Sequence, residues 1–301
     1  MIDFQDRVAI VTGAGGGLGR AYATLLASLG AAVVVNDLGG SVHGEGKDAK
    51  TADATVAEIE SAGGVAVAEY SSVAEPEGGE SIVQKAIDSF GRVDILINNA
   101  GILRDRTLLN MGWDDLEAVL AVHLKGAFYV TSPAFAHMKE QQYGRIIMTS
   151  SASGLFGNFG QSNYGAAKAG LFGFENVLKL EGAKYGINVN TVAPIANTRM
   201  TEEILGEMAD AADPASVAPA VVYLVSEACD LSGEVWSVGA GSVSRIFTGL
   251  CSGYFKHPEK DGAISIEDIA EHVDDIRIEE GYIVPYSSRD EFAKLGPLLF
   301  S

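Results

Sequence analysis

The sequence predicts an α/β fold: one doubly wound parallel sheet of about seven strands, helices on both faces, and a short C-terminal extension. Short, continuous runs rich in Val and Ile recur along most of the chain. Stretches with the period of amphipathic helices separate them, and a glycine-rich turn joins the first run to the first helix. Continuous apolar runs are typical of strands buried on both faces, and their alternation with helices is typical of parallel sheets.

The predicted strands are, in chain order, RVAIVTG, AAVVVND, VAVAEY, VDILINNAG, GRIIMTSS, INVNTVAP and GEVWSVGAG. The helical pattern covers residues 17–29, 51–62, 79–90, 113–138, 162–184 and 214–227. The stretch from Leu38 to Lys50 is rich in glycine and charge, so we expect a loop between the second strand and its helix.

The pattern changes after about residue 250, so residues 1–250 are assigned to one domain and residues 251–301 to an extension. The last 43 residues carry eleven acidic residues against four Lys or Arg, which makes the extension acidic. One amphipathic helix is predicted in SIEDIAEHVDDIR, with Ser265 and Asp268 as a capping box. Its apolar stripe consists of Ile266, Ile269, Val273 and Ile276. Because the extension is too short for its own core, we expect this stripe to be buried elsewhere, over an active site or in a dimer.

Composition argues against several classes of partner. The net charge is −19, whereas nucleic acids and anionic membrane surfaces require a basic footprint. No apolar run reaches the roughly 18–20 residues of a membrane span. The start, MIDFQDRVAIV, does not resemble a signal peptide and the end, LLFS, is not a peroxisomal address, so we expect a cytoplasmic protein. Neither Cys229 and Cys251 nor the five histidines show metal-binding spacing, so no metal is expected.

The stretch VAIVTGAGGGLGR predicts a dinucleotide site, because glycines let the backbone approach a pyrophosphate and a helix N-terminus offers free N–H groups. The second strand ends at Asp37, 24 residues after Gly13. A carboxylate there can accept both ribose hydroxyls and would repel a 2′-phosphate, so NAD is predicted over NADP. The alternative is a solvated Asp at a strand end. The turn residues assigned to the cofactor are Gly13, Gly15, Gly16, Gly17, Leu18 and Gly19.

Two further stretches are expected at the same crevice, where the carboxyl ends of the strands meet. NNAG ends the fourth strand and brings Asn99, Ala100 and Gly101 towards a ribose, unless it is a simple turn. A Ser pair closes the fifth strand, and its second member, Ser151, precedes Tyr164 by thirteen residues.

Tyr164 and Lys168 share one helix face, as neighbours four residues apart. To remove a proton from an alcohol near pH 7, a phenol of pKa about 10 must become roughly 4 kcal/mol more acidic. An ammonium about 4 Å away supplies on the order of 4 kcal/mol. The spacing therefore predicts that Lys168 lowers the pKa of Tyr164, while Ser151 holds the substrate oxygen.

These motifs together resemble the short-chain dehydrogenase/reductase family, a Rossmann-like family, over about residues 5–245. The resemblance rests on TGAGGGLG, NNAG, Ser151, Tyr164 and Lys168, in that order. It implies that Tyr164 is the general base, that Lys168 also binds the nicotinamide ribose, and that Ser151 orients the substrate.

The resemblance also implies roles for residues outside these motifs. Ser72 and Val73 would lie near adenine, and Pro194 and Thr198, in APIANTRM, near the nicotinamide. His123 stands where the family has an Asn that anchors a proton-relay water, so it is either a relay member or a helix-packing histidine.

Longer strings resemble one subgroup, the (3R)-hydroxyacyl-CoA dehydrogenase domains of type 2 peroxisomal multifunctional enzymes. They are VVNDLGG, NNAGILRDR, HLKGAF, GRIIMTSSASG and FGNFGQSNY. The resemblance implies NAD-dependent oxidation of a 3-hydroxyacyl-CoA to the 3-ketoacyl-CoA. Arg104, Arg106 and Lys125 are candidate contacts for the CoA phosphates, or else ordinary surface ion pairs.

Two alternatives remain open from the sequence. The alcohol could be a hydroxysteroid or a steroid side chain carried as its CoA thioester, because the pocket walls fall in loops near residues 153–163 and 195–210. More remotely, the chain could be a non-catalytic NAD-binding sensor or scaffold. The family resemblance implies a homodimer or homotetramer that pairs the fourth and fifth helices.

Overall fold

The computed structural model describes residues 2–198 and 210–300, and its centre is one eight-stranded sheet. The strand order is β3-β2-β1-β4-β5-β6-β7-β8. The strands are β1 Val8–Thr12, β2 Ala32–Asn36, β3 Val65–Glu69, β4 Ile95–Asn98, β5 Gly144–Thr149, β6 Ile187–Ile195, β7 Val235–Gly239 and β8 Ser242–Ile246.

The strands from β1 to β7 pair in parallel, which confirms the predicted doubly wound sheet. β1 pairs with both β2 and β4, so the strand order reverses there. Such a reversal opens a crevice beyond the carboxyl ends of the strands. The sequence predicted about seven strands and did not identify β8, which is mostly exposed and lacks an apolar run.

The helices that flank the sheet lie close to the predicted segments, except for α6, which was not predicted. They are α1 Gly17–Ser28, α2 Lys50–Ser61, α3 Pro76–Phe90, α4 Trp113–Leu120, α5 Gly126–Gln141, α6 Ala152–Leu155, α7 Ser162–Gly182 and α8 Ala218–Leu224. One apolar core packs α1 and α8 on one face of the sheet, and a second packs α3, α5 and α7 on the other. The buried strands thus have helices on both faces.

The helix predicted over 113–138 is continuous but not α-helical throughout. A π-helical turn, Ala121–Lys125, separates α4 from α5 and contains the buried residue His123. A π turn adds a residue to the helical repeat and is often found at functional sites.

The chain separates into two compact units, one ending at Arg245 and one beginning at Ile246. The single amphipathic helix predicted in the second unit is wrong: α9 Ile266–Glu271 and α10 Val273–Arg277 are separate, because His272 (φ −108°, ψ 16°) leaves the helical conformation. A further helix, α11 Ser288–Leu299, was not predicted. The capping box of Ser265 and Asp268 is confirmed.

No helix within the described ranges is both long and apolar enough to span a bilayer. In the same ranges, no three His, Cys, Asp or Glu side chains cluster as metal ligands.

Candidate active site

A cleft of about 560 Å³ opens at the carboxyl ends of the strands in the sheet unit. Its walls come from the turn after β1, the loop after β2, the segment after β4, the end of β5, the start of α7 and the end of β6. All the elements predicted to meet at one crevice therefore do so.

Three glycines of the turn, Gly13, Gly15 and Gly19, leave no room for a side chain. Gly13 has φ +65°, and a Cβ atom there would lie 2.8 Å from the Cα atom of Ala100. A Cβ atom on Gly15 would lie 2.8 Å from Oδ2 of Asp37, and one on Gly19 would lie 2.2 Å from the carbonyl oxygen of Gly13. Bare backbone next to the start of α1 is the cradle that a pyrophosphate requires, so the turn fits a dinucleotide.

Asp37 lines the cleft with its carboxylate held by two backbone donors. The N–H of Gly15 donates to Oδ2 at 2.8 Å, and the N–H of Gly39 donates to Oδ1 at 2.7 Å. Each carboxylate oxygen accepts more than one hydrogen bond, so both can still receive a ribose hydroxyl.

Thr12 organises the turn after β4, and the sequence analysis did not identify it. Its Oγ1 accepts from the N–H groups of Asn99 (3.0 Å) and Ala100 (3.1 Å). The Asn99 side chain in turn donates to the carbonyl oxygens of Thr12 (2.9 Å) and Gly13 (3.2 Å). A threonine ending an apolar strand carries no signal of this role, which appears only when β1 and β4 pair.

The three predicted catalytic side chains line the same cleft. Ser151 caps α6, and its Oγ accepts from the N–H of Ser153 at 3.2 Å. Lys168 is buried and donates to the carbonyl oxygen of Thr149. Its Nζ lies 5.5 Å from the centre of the Tyr164 ring.

The expected acidification of the phenol is absent from this geometry. Burial raises the pKa of Tyr164 to about 12, although a hydrogen bond with Ser151 opposes the rise. Burial also lowers the pKa of Lys168 to about 7. Desolvation disfavours the charged form of each group, and Lys168 is only partly charged near neutral pH. This geometry does not test the prediction that Lys168, assisted by the positive charge of the nicotinamide, lowers the pKa of Tyr164, which stays a prediction.

His123 packs against Tyr164, the predicted general base. Its ring meets the ring of Tyr164 edge-on at 5.1 Å, and its Nε2 lies 2.8 Å from the carbonyl oxygen and 3.0 Å from the nitrogen of Ile102. Its Nδ1 is buried without a partner among the described residues, beside a cavity of about 10 Å³ that Lys168 also lines. Burial, reinforced by the charge of Lys168, lowers the pKa of His123 well below its usual value, so the ring is neutral.

The residues assigned to the cofactor also gather at the cleft. Every predicted one except Gly15 and Gly19 lines it: Gly13, Gly16, Gly17, Leu18, Asp37, Ser72, Val73, Asn99, Ala100, Gly101, Tyr164, Lys168, Pro194 and Thr198. Gly15 and Gly19 do not line the cleft, but their lack of side chains allows the close approach of Asp37 and of the Gly13 carbonyl oxygen described above. Residues 199–209 of the predicted substrate-side wall lie outside the described residues.

The three basic residues that the sequence suggested as contacts for the CoA phosphates lie in different surroundings. Arg104 lines the cleft, and Arg106 is exposed on the adjoining segment. Lys125 forms an ion pair with Glu117 instead, which favours the surface interpretation for that residue.

A reversed strand order, a glycine cradle and a Ser–Tyr–Lys set in one cleft define a nucleotide-dependent oxidoreductase. The chain belongs to the short chain dehydrogenase family, whose sequence profile matches residues 7–209.

The similar proteins are consistent with this assignment. The chain is 53% identical over 244 residues to the peroxisomal multifunctional enzyme type 2 of Mus musculus, covering 81% of this chain and 33% of that protein. It is 54% identical over 243 residues to a short-chain type dehydrogenase/reductase of Mycobacterium tuberculosis, covering 80% of this chain and 85% of that protein. The solved full-length peroxisomal multifunctional enzyme type 2 from Drosophila melanogaster matches with a TM-score of 0.82 and 37% identity, over 99% of this chain and 50% of that one. The chain thus spans a third to a half of these multifunctional relatives.

Proposed function

We propose that this protein oxidises a (3R)-hydroxyacyl-CoA to the 3-ketoacyl-CoA with NAD⁺. The observation that carries the proposal is one cleft that holds Ser151, Tyr164 and Lys168 beside the glycine turn and Asp37. The substrate class comes from the multifunctional relatives, which share about half of their residues with this chain over the matched region.

In this reaction NAD⁺ supplies the hydride acceptor and a fixed positive charge. Ser151 donates a hydrogen bond to the substrate oxygen and Tyr164 takes its hydroxyl proton. Because burial lowers the pKa of Lys168 to about 7, this lysine can gain or lose a proton near neutral pH. Lys168 would hold the nicotinamide ribose and, in its protonated form, would stabilise the phenolate of Tyr164 together with the charge of NAD⁺.

The preference for NAD over NADP rests on Asp37. The two backbone donors fix its carboxylate at the cleft, so a 2′-phosphate would meet a charge that cannot turn away. Steady-state kinetics with both cofactors test this; a higher kcat/KM with NADP⁺ would reject the assignment.

We assign His123 to the positioning of Tyr164, because the neutral ring packs edge-on against the phenol and bonds to the backbone of Ile102. Replacing it with Asn, the residue found in the family at large, keeps a polar group but loses the ring contact. The expected result is a lower kcat with an unchanged KM for NAD⁺. An unchanged kcat would leave His123 with packing alone.

The substrate is tested with a panel of (3R)- and (3S)-hydroxyacyl-CoA thioesters of increasing chain length, together with steroid alcohols and a steroid side-chain CoA thioester. Formation of NADH is followed by absorbance. Preference for the (3R) acyl thioesters supports the proposal. Turnover of steroid compounds alone would favour the steroid alternative, and turnover of none would favour a non-catalytic binding protein.

We also propose a homodimer or homotetramer in the cytoplasm. Phe128 of α5 and Phe174 of α7 stack at 3.7 Å, and Phe128 stays 46% exposed, which gives the paired helices an apolar surface. The stripe of the extension is exposed too, with Ile266 at 84% and Ile269 at 44%. Sedimentation of the whole chain tests the oligomeric state, and sedimentation of a chain lacking residues 259–301 tests whether the extension contributes to it. A monomer in each case would overturn the proposed oligomer.

A further inference from the structure

A chain of hydrogen bonds leads from the loop after β2 to the residue that precedes the catalytic tyrosine. We propose that His43, Arg104 and Asn163 are positioning residues that couple the loop beside the cofactor cleft to the placement of Tyr164. The reaction in which this coupling is measured rests on the proposed function.

The loop Leu38–Asp48 is ordered by its own backbone. The N–H of Ser41 donates to the carbonyl oxygen of Glu45 at 2.8 Å, and the N–H of Asp48 donates to that of Leu38 at 3.1 Å. Residues of this loop line the cofactor cleft, so its position sets the width of the cleft.

Three hydrogen bonds fasten this loop to the segment after β4. The N–H of Leu103 donates to the carbonyl oxygen of Val42 at 2.9 Å. Nδ1 of His43 donates to the carbonyl oxygen of Leu103 at 2.9 Å, because a carbonyl oxygen can only accept. Nε of Arg104 donates back to the carbonyl oxygen of His43 at 3.0 Å.

The same segment holds the start of α7 through Asn163, which is fully buried. Its Nδ2 donates to the carbonyl oxygens of Arg104 at 2.9 Å and of Asp115 at 3.4 Å. Its Oδ1 accepts from the N–H of Tyr164 at 2.8 Å, a helix-start donor that has no partner within the helix.

Arg104 is therefore shared between the two halves of the site. Its side chain bonds to the loop on the cofactor side, and its carbonyl oxygen fixes Asn163 on the catalytic side. A shift of this segment moves both ends together, and a misplacement of about 1 Å can cost on the order of 100-fold in rate.

The test uses the exposed residue His43, whose replacement leaves the buried core intact. His43→Ala removes the donor to Leu103, whereas His43→Asn retains an N–H donor at the matching position. Glu45→Gln is the matched control, since the Glu45 side chain makes no hydrogen bond or ion pair among the described residues.

We expect His43→Ala to raise the NADH dissociation rate, measured by stopped-flow fluorescence, and to lower kcat, each by roughly 3- to 10-fold, the size expected from one lost hydrogen bond. His43→Asn should recover most of both, and Glu45→Gln should match the wild type. A change in NADH dissociation with unchanged kcat would overturn the coupling.

A change at the catalytic end should also reach the cofactor side, because Arg104 is hydrogen-bonded to both His43 and Asn163. Asn163→Asp keeps the acceptor for the Tyr164 N–H but sets a carboxylate against the carbonyl oxygen of Arg104. We expect NADH to bind more weakly, although residue 163 is not among the cleft-lining residues. Normal NADH affinity in a folded Asn163→Asp protein would overturn the proposal.

A readout without cofactor separates this inference from the proposed function. Hydrogen exchange at the Leu103 amide should be faster in His43→Ala than in the wild type or His43→Asn. If no hydroxyacyl-CoA is oxidised, the proposed function fails, while exchange, NADH dissociation and the NADH affinity of Asn163→Asp still decide the coupling. If oxidation proceeds but these readouts do not respond to His43, only the coupling fails.

Discussion

Helix α7 carries two ionisable pairs with the same spacing, and only one of them lines the cleft. Tyr164 and Lys168 lie near its start, and Glu175 and Lys179 lie near its end. The first pair has partners: Lys168 donates to Thr149, and Ser151 bonds to the phenol. In the second pair, Nζ of Lys179 donates to Oδ1 of Asn176 at 2.7 Å, but both carboxylate oxygens of Glu175 are buried and have no hydrogen-bond partner among the described residues.

The difference shows that an i, i+4 pair does not define a catalytic site by itself. Burial perturbs both pairs, lowering the pKa of Lys168 to about 7 and raising that of Glu175 to about 8. What separates them is the surroundings, because the first pair opens on a cleft with a glycine cradle. The second lies over the sheet, between Leu171 and Leu178 of the apolar core.

The largest expected effect comes from Tyr164→Phe, which removes the proton acceptor and little else. General acid–base catalysis contributes about 10²–10⁴-fold, so kcat should fall by that range. NADH affinity, measured by fluorescence titration, should stay close to that of the wild type. Turnover within about threefold of the wild type would show that the phenol is not the base, and the two pairs on α7 would lose their main distinction.

The meeting of Ser151, Tyr164 and Lys168 in one cleft was predictable from sequence because their spacing occurs together with the glycine turn. The strands from β1 to β7 were predictable because their apolar runs are continuous. Glu175 was not, since a glutamate on a helix is usually solvated and only packing reveals its burial. The π turn at His123 and the break at His272 likewise depend on backbone geometry that residue pattern does not encode.

The next largest effect is expected on the free energy of unfolding, in the variant Glu175→Gln. Burial raises the pKa of Glu175 from about 4.5 to about 8, with Glu234 adding to the rise and Lys179 opposing it. The folded state therefore retains a proton that the unfolded chain loses above about pH 4.5, and stability falls as the pH rises towards 8. At pH 7 the cost is about 3 kcal/mol, which the neutral amide avoids.

The measurement is the free energy of unfolding in denaturant at pH 4, 6 and 8. The variant should match the wild type at pH 4 and exceed it increasingly towards pH 8. Glu181→Gln, at an exposed position on the same helix, is the control and should show no such divergence. Parallel curves for Glu175→Gln and the wild type would show that the carboxyl group ionises without penalty.

The smallest expected effects come from replacing two threonines, Thr12 beside the cleft and Thr191 facing helix α7. Thr12 ends β1 at the cleft and makes three hydrogen bonds through Oγ1, to Ile97, Asn99 and Ala100. Thr191 of β6 lies two residues after Val189, which packs in the core that includes Leu171 and Leu178 of α7, so strand alternation turns it towards that helix. Its Oγ1 is buried and has no hydrogen-bond partner in the described parts of the chain.

Replacing each with Val keeps the shape and removes only the hydroxyl. Thr12→Val leaves two backbone donors unsatisfied and should lower the free energy of unfolding by about 1–3 kcal/mol, with weaker NADH binding. Thr191→Val removes a hydroxyl that has no protein partner and should leave stability unchanged or raise it by up to about 1 kcal/mol. A clear loss of stability from Thr191→Val would mean that this hydroxyl is bonded after all, for example through an internal water to Glu175. The contrast between the bonded hydroxyl of Thr12 and the unbonded hydroxyl of Thr191 would then disappear.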